Sequence, residues 1–196
     1  AGGESVFAVT LGETGTSVPV TLTAGNNLVS AKVVVENPRL WWPNGAGEQA
    51  LYDLAVSIGE ASFTRRLGLR TIEVVNKPDE GDFSSKPGMS MAFRVNGVDI
   101  FCKGANWIPC DGMTERQTPA RYRDLLGSAQ AAHMNMVRLW GGGQFEDDIF
   151  YDTCDERGLL VWHDLMFSCS LYPSDREFLG EVKAELAHQL RRLRDH

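Results

Sequence analysis

Five polar or aromatic residues stand at or just after the ends of short apolar segments. They are Asn106, Trp107, Arg138, Trp140 and Asp164. Arg138 and Trp140 are two positions apart, so in an extended strand both side chains point to the same side. These five residues are our candidates for a binding site at the strand ends. Each residue also has a structural interpretation: an ion pair for Arg138, packing for Trp140, and a cap or loop role for Asp164. Asn106 and Trp107 are more often turn and packing residues at a strand end.

A second candidate is a run of acidic residues that resembles a metal site. It consists of Asp147, Asp148, Asp152, Asp155 and Glu156. Helical spacing spreads these carboxylates around the turn, and aspartate near the start of a helix is favoured by the helix dipole. We therefore expect no metal site, and nothing in the sequence calls for a cofactor.

Three other groups invite functional interpretations that the sequence does not favour. His163 beside Asp164 suggests a proton relay, but neighbours in a strand point to opposite faces. Trp41-Trp42 is either a carbohydrate platform or, as we expect, a packing element. The cysteines Cys102, Cys110, Cys154 and Cys169 have spacings that fit neither a zinc site nor a small disulfide scaffold. We expect free thiols that pack as small apolar residues, with Cys154 in the buried stripe of a helix.

The composition is that of an ordinary globular protein, with 43% hydrophobic and 23% charged residues. A formal net charge of -7 makes nucleic acid an unfavourable partner. No apolar run reaches the 18 or so residues that cross a membrane, so no membrane partner is expected. No signal peptide is visible at the start, and cytoplasmic and periplasmic locations both stay open.

The elements that carry these residues change in character along the chain. Residues 1–75 alternate short segments rich in Val, Leu and Thr with glycine-containing turns, which predicts strands of an immunoglobulin-like β-sandwich. The predicted strands are SVFAVTL, SVPVTLTA, NLVSAKVVVENP, ALYDLAVSIG and FTRRLGLRTIEVV. Five or six strands are few for such a sandwich, so we expect it to be incomplete. Residues 76–91 are polar, contain Pro and Gly, and predict a linker or surface loop.

From residue 92 strands alternate with helices. A hairpin is predicted at Asn96-Gly97, a helix opening at Thr118-Pro119, and a second helix ending at Gly158. A third helix is predicted to begin with the capping box Ser174 and Glu177. The predicted apolar stripe of that helix is Phe178, Leu179, Val182, Leu186, Leu190 and Leu193.

Three successive strand-helix units indicate a parallel sheet, either an open doubly wound sheet or part of a (β/α)8 barrel. A dinucleotide-binding open sheet would carry G-x-G-x-x-G after its first strand, where this chain has Lys103-Gly104-Ala105-Asn106-Trp107. About 105 residues suffice for three of eight barrel units. The predicted fold is therefore mixed: residues 1–75 form a partial all-β sandwich and residues 92–196 the first part of a TIM barrel.

Several sequence blocks resemble family 2 glycoside hydrolases, in particular their β-mannosidase branch. They are FRVNG (93–97), FCKGANWIPCD (101–111), NMVRLWGGG (135–143) with Phe145-Glu146, YDTCDERGLLVWHDLMF (151–167), PRLWWPNG (38–45) and GLR (68–70). The resemblance covers nearly the whole chain. It implies a retaining, exo-acting enzyme that removes terminal β-mannose residues from β-mannosides. The alternatives are another family 2 specificity (β-galactosidase, β-glucuronidase or exo-glucosaminidase) and a non-catalytic carbohydrate-binding module.

A retaining glycosidase needs two carboxyl groups about 5 Å apart, an acid/base and a nucleophile. In this family the acid/base is a Glu that follows Asn after the fourth barrel strand, and the nucleophile is a later Glu. The 196 residues contain no Asn-Glu, only the reversed Glu36-Asn37. We therefore expect a fragment that carries no catalytic residue and is inactive alone, and that self-associates through uncovered strand edges.

The resemblance also implies roles for the five candidate residues at the strand ends. Barrel enzymes build their sites at the carboxyl ends of the strands. Arg138 is expected to support the nucleophile and Trp140 to cover the apolar face of a sugar ring. Asp164 either binds sugar hydroxyls or orients Arg138. Asn106 and Trp107 complete the expected substrate-binding wall.

Overall fold

The computed structural model describes residues 2–81 and 88–196. Within them the chain forms strands and three α-helices of ordinary length. The strands are β1 (Gly3–Leu11), β2 (Thr14–Leu22), β3 (Tyr52–Ile58), β4 (Ala61–Leu67), β5 (Ile72–Val75), β6 (Ala92–Val95), β7 (Val98–Ile100), β8 (Gly104–Trp107), β9 (Met136–Leu139) and β10 (Leu160–His163). The helices are α1 (Pro119–Ala131), α2 (Asp148–Arg157) and α3 (Arg176–Leu193), with a short 3-10 helix at Thr114–Arg116. The fold is thus a mixture of sheet and helix.

The first of two compact units comprises Ala1–Leu40 and Ala50–Leu69. It contains a four-stranded antiparallel sheet in the order β2-β1-β3-β4. The segments SVFAVTL, SVPVTLTA and ALYDLAVSIG form β1, β2 and β3, as predicted. Two-residue turns join β1 to β2 and β3 to β4, which fixes the register of both hairpins.

The strand predicted over residues 27–38 is wrong. These residues form no strand, although Val29, Ala31, Val33 and Val35 are half-buried and alternate with exposed neighbours. The alternation that predicted a strand is therefore present. A strand also needs a partner for its backbone N–H and C=O groups, and this segment pairs with none of the described strands.

The second unit comprises Trp41–Gln49 and Arg70–His196 and begins with an antiparallel sheet in the order β5-β6-β7. The hairpin predicted at Asn96-Gly97 is confirmed. Both residues have positive φ, 50° and 80°, the backbone of the type I′ turn for which Asn-Gly is suited. The predicted strand FTRRLGLRTIEVV is two strands, β4 and β5, which belong to different sheets.

A parallel sheet in the order β10-β9-β8 follows, and this part of the prediction is confirmed. Helix α1 has Thr118 as its N-cap, whose hydroxyl accepts from the Arg121 N–H, and proline at its first turn. Helix α2 ends at Gly158 in the left-handed conformation, also as predicted. The shared core of sheet, α1 and α2 consists of Cys110, Tyr122, Leu126, Val137, Leu139, Phe150, Tyr151, Cys154 and Leu159.

Helix α3 differs from its prediction in two ways. Its N-cap is Asp175, which accepts from the Phe178 N–H, so the predicted capping box of Ser174 and Glu177 is wrong. An aspartate one residue later supplies the same acceptor, and sequence alone does not choose between them. The apolar stripe is not buried, since Leu179 is 52% and Leu190 62% exposed.

The predicted linker at 76–91 is described only at its two ends. Pro78 and Met89 form an antiparallel bridge, while residues 82–87 lie outside the described residues. In the part of the chain that the structure describes, no helix combines the length and apolar character needed to cross a membrane.

Candidate functional site

Three of the five predicted residues meet at the carboxyl ends of the parallel strands. The Arg138 guanidinium donates to both carboxylate oxygens of Asp164, from Nε at 3.1 Å and from Nη2 at 2.7 Å. Its Nη1 donates to Oδ1 of Asn106 at 3.4 Å, because the register of β8 and β9 sets these two residues side by side. We call Asn106, Arg138 and Asp164 the polar clamp. Its two-point Arg–carboxylate bond fixes direction as well as distance.

The polar clamp is partly open to solvent. The Arg138 side chain is 42% exposed and that of Asp164 is 18% exposed. An exposed ion pair contributes little to stability, commonly below about 1 kcal/mol. The Arg138 guanidinium is therefore accessible to solvent, while its two bonds to Asp164 fix its orientation.

Gly141 brings the loop that follows β9 into contact with Asp164 of the polar clamp. Its N–H donates to Oδ2 of Asp164 at 3.2 Å. A Cβ at this position would lie 2.5 Å from the carbonyl oxygen of Leu165, closer than atoms approach without a shift. The close approach of the two backbones therefore requires glycine here.

Trp140 is half-buried and its indole lies on the backbone of Gly142. A Cβ at Gly142 would be 2.1 Å from Cη2 of the Trp140 ring. The Trp140 N–H donates to the carbonyl of Trp107 at 3.1 Å, which continues the strand pairing beyond β9. The ring thus rests on residues 141–145, the loop after β9 that we call the glycine loop.

Trp107 is placed with the core rather than with the polar clamp. Its ring packs on Phe150 with centroids 5.0 Å apart and is nearly parallel to Tyr122 at 6.3 Å. Its Nε1 donates to Oε1 of Glu146 at 2.9 Å. Trp107 therefore supports the loop that carries Glu146.

Glu146 is a site residue that the sequence reasoning missed. It is 1% exposed, and Oε2 accepts from the Tyr122 hydroxyl at 2.6 Å and from Nε2 of Gln144 at 2.9 Å. With Trp107 on Oε1, three uncharged donors from β8, α1 and the glycine loop meet at one carboxylate. The available signal was a Glu between a glycine-rich segment and the start of a helix, which is too common a pattern to single it out.

The tyrosines of this region are held in their neutral forms. Burial, followed by the hydrogen bond to Glu146, raises the pKa of Tyr122. Burial also raises the pKa of Tyr151 to about 12, although the nearby Arg192 acts in the opposite direction. Both hydroxyls therefore keep their protons at neutral pH and can serve as donors.

His163 has a larger structural role than expected from its neighbour Asp164. Its Nδ1 lies 2.6 Å from the backbone oxygen of Asp164 and its Nε2 lies 2.9 Å from the Tyr151 hydroxyl. Burial lowers the pKa of the imidazole. We expected the side chains of His163 and Asp164 to point to opposite faces of the strand, but the imidazole bonds to the backbone carbonyl of Asp164.

The carboxylates of the acidic run do not converge on a metal site. Among the described residues no group of three or more metal-binding side chains is brought together. Asp155 is instead buried and pairs with Nδ1 of His196 at 2.7 Å and with Arg70 at 3.8 Å. Its backbone oxygen accepts from Nε1 of Trp41, which is 1% exposed, so Trp41 is a packing residue.

The cysteines match their prediction only in part. All four lie in the described residues and are free thiols. Cys154 is fully buried, and burial raises its pKa well above the ordinary value. Cys110 is also buried, whereas Cys169 is exposed and does not pack as a core residue.

Comparison with known proteins gives a consistent result. The family model for glycosyl hydrolases family 2 matches residues 6–70. The chain is 44% identical over 179 residues to beta-mannosidase B of Emericella nidulans, covering 89% of this chain and 20% of the relative. It aligns with the crystal structure of beta-D-mannosidase from Dictyoglomus thermophilum with a TM-score of 0.91 and 36% identity, over 99% of this chain and 24% of that one.

A second solved structure is an exo-chitosanase of Amycolatopsis orientalis, with a TM-score of 0.65 and 26% identity. That alignment covers 82% of this chain and 18% of the exo-chitosanase. The chain spans about a fifth of the length of the curated relatives it matches.

Proposed function

Because this chain belongs to family 2 of the glycosyl hydrolases, we propose that it is a piece of a retaining, exo-acting β-mannosidase. The observation that carries the proposal is the polar clamp. Three successive parallel strands each supply one of its residues at the carboxyl end, in a chain 44% identical to a β-mannosidase. The substrate would be a β-mannoside or a mannose-terminated oligosaccharide.

In this proposal residues 92–196 are the first three units of a (β/α)8 barrel and residues 1–75 belong to an immunoglobulin-like sandwich. The parallel sheet with α1 and α2 on one side supports the barrel assignment, because barrel units place their helices outside. The polar clamp would then lie at the catalytic end of the barrel.

The residues of the polar clamp bind and orient, and none of them performs the bond-breaking step. Retention requires an acid/base and a nucleophilic carboxyl group. Both would be glutamates of the complete protein that match no position in these 196 residues. Arg138 would hold the nucleophile in place, Asp164 would orient Arg138, and Asn106 would bind a sugar hydroxyl. Trp140 would cover the apolar face of the sugar, supported on Gly142.

The specificity is tested on the protein made from its full-length coding sequence. We expect the largest kcat/KM on an aryl β-mannoside, compared with the matched β-galactoside, β-glucuronide and β-glucosaminide. A larger kcat/KM on any of the other three substrates would reject the mannosidase proposal and leave the family assignment unchanged. The β-glucosaminide is the alternative with specific support, because the exo-chitosanase resembles this chain at 26% identity.

Activity of the 196-residue chain by itself is a separate test. We expect no hydrolysis of the aryl β-mannoside, because the Asn-Glu that carries the acid/base in the resembled family does not occur in these 196 residues. Turnover that a point substitution within these residues abolishes would overturn this expectation, and with it the assignment of the clamp to binding alone.

The same chain is expected to self-associate rather than remain monomeric. Helix α3 leaves Leu179 and Leu190 exposed, and the edge strand β10 presents Trp162 at 40% exposure. Apolar faces and unpaired strand edges favour association. Light scattering should report dimers or larger species, and a monodisperse monomer with one sharp unfolding transition would contradict the expectation.

A further inference from the structure

The hydrogen bonds of His163 define which of its nitrogens carries the proton. Nδ1 lies 2.6 Å from the backbone oxygen of Asp164. A carbonyl oxygen can only accept, so Nδ1 must be the donor. Nδ1 therefore carries hydrogen in every protonation state that keeps this bond.

The second nitrogen completes a chain of bonds that all run in one direction. A neutral ring with hydrogen on Nδ1 leaves a lone pair on Nε2, which accepts from the Tyr151 hydroxyl at 2.9 Å. The Tyr151 oxygen in turn accepts from the N–H of Glu146 at 3.2 Å. The sequence of donors is therefore the Glu146 N–H, the Tyr151 hydroxyl and the His163 Nδ1–H, ending on the carbonyl of Asp164.

Packing holds the rings of His163 and Tyr151 in place. His163 stacks on Phe145 with centroids 5.0 Å apart and lies nearly parallel to Tyr151, at an interplanar angle of 11°. The guanidinium of Arg192 lies 5.2 Å from the centre of the Tyr151 ring, and it donates to the backbone oxygen of Glu146. Elements on three sides, namely the glycine loop, α2 and α3, thus fix the ring orientation.

The series of hydrogen bonds ends at Asp164, the residue that anchors the polar clamp. The peptide group of Asp164 is fixed by His163, and the carboxylate of the same residue receives Arg138 and the Gly141 N–H. We propose that Tyr151 and His163 are positioning residues, which hold Asp164 so that its carboxylate presents Arg138 at the site. The kinetic consequence rests on the proposed function, whereas the hydrogen-bond direction does not.

Two substitutions of the same ring separate this role from packing, in the full-length enzyme. In His163→Asn the side-chain amide nitrogen takes the place of Nδ1 and can still donate to the Asp164 carbonyl. In His163→Gln the amide lies near the former Nε2 and loses that donor. We expect kcat/KM of the Asn variant to fall by roughly 3-fold to 10-fold, because it keeps the donor to Asp164 but loses the acceptor of the Tyr151 hydroxyl. The Gln variant should lose ~10-fold to ~100-fold, mainly in kcat, the scale expected when a catalytic group is misplaced by about 1 Å.

Tyr151→Phe is the companion variant. It keeps the ring and removes the donor to Nε2, so we expect a loss like that of the Asn variant, roughly 3-fold to 10-fold, again mainly in kcat. Equal losses in the Asn and Gln variants would overturn the proposal, because they would indicate a packing role. Unchanged kcat/KM in all three folded variants would overturn it as well.

A spectroscopic measurement tests the same proposal without activity. With 15N-labelled histidine, the His163 signal is identified by its loss in His163→Asn. We expect a neutral ring at pH 7.5 with a protonated Nδ1 and an unprotonated Nε2. Hydrogen on Nε2 would reject the proposed direction of the hydrogen bonds through Tyr151 and His163. A protein that hydrolyses no β-glycoside but shows the expected tautomer would refute the proposed function and leave that direction intact.

Discussion

Two carboxylates at the same end of the parallel sheet meet opposite conditions. Glu146 is buried and is surrounded by uncharged donors, the indole of Trp107, the hydroxyl of Tyr122 and the amide of Gln144. Asp164 is partly open and bonds to a cation, Arg138. One carboxylate therefore joins structural elements, and the other presents charge to the outside.

The different surroundings of Glu146 and Asp164 lead to different expectations for stability and for function. A buried acceptor that satisfies three donors is costly to remove, because each donor then loses its partner away from water. An exposed ion pair can be removed with little loss of stability. Substitutions at Glu146 should therefore act on folding, and substitutions at the polar clamp on function.

The largest effect is expected for Glu146→Leu. It leaves Nε1 of Trp107 without its acceptor, while Tyr122 and Gln144 keep only Oε1 of Gln117. We expect the free energy of unfolding to fall by roughly 2–4 kcal/mol. Chemical denaturation of the full-length protein measures this, with the exposed Glu181→Leu on α3 as matched control. A loss below about 1 kcal/mol, like that of an ordinary surface substitution, would show that Glu146 does not join the elements.

The next effect is on catalysis, from Arg138→Ala. On the proposed function, in which Arg138 holds the nucleophile, we expect kcat of the full-length enzyme to fall about 100-fold, the scale seen when one positioned donor is removed from an active site. The acid limb of the pH profile should move to higher pH, because the loss of a nearby cation raises the pKa of the nucleophile. Arg138→Lys keeps the positive charge but not the two-point bond to Asp164, so it should recover only part of the lost kcat. A folded Ala variant with normal kcat would make the pair with Asp164 purely structural.

Trp140→Ala should weaken binding rather than the chemical step. If the ring covers the sugar, the loss is about 1–3 kcal/mol, read mainly as a raised KM. Trp140→Phe keeps an aromatic face and is the control. Unchanged kcat/KM in a folded Ala variant would assign the ring to packing on Gly142.

The smallest expected effect concerns pH and His163. Burial lowers its pKa in the folded state below the ordinary value of 6.5. The unfolded chain then binds a proton first as pH falls, so this contribution to stability is complete above pH 6.5 and declines as pH falls through that value. The charged groups that face the ring are Glu146, Arg192 and Asp164. Unfolding measured between pH 8 and pH 5 should be less pH-dependent in His163→Asn than in wild type, and an equal dependence would contradict the shift.

Local chemistry made several elements predictable. Asn96-Gly97 gave the hairpin, Thr118-Pro119 the start of α1, and Gly158 the end of α2. Each is fixed by neighbours in sequence. The segment 27–38 was mispredicted because a strand depends on a partner elsewhere in the chain, and its alternating pattern carries no information about that partner.

The candidate site likewise combines features that local sequence predicts with features that depend on distant residues. The predicted strands set Asn106, Arg138 and Asp164 at the ends of parallel strands, where they meet. Trp107 and Trp140 were selected by the same criterion and are not part of the polar clamp. The tertiary structure decided that Trp107 packs in the core, that Glu146 collects three donors, and that His163 reaches the carbonyl beyond its own strand face. These contacts join residues from several elements, and a buried hydrogen bond has no signature in the residues on either side of it. The sequence therefore determined which residues stand at the ends of the parallel strands, while the three-dimensional packing decided which of them meet and what holds them.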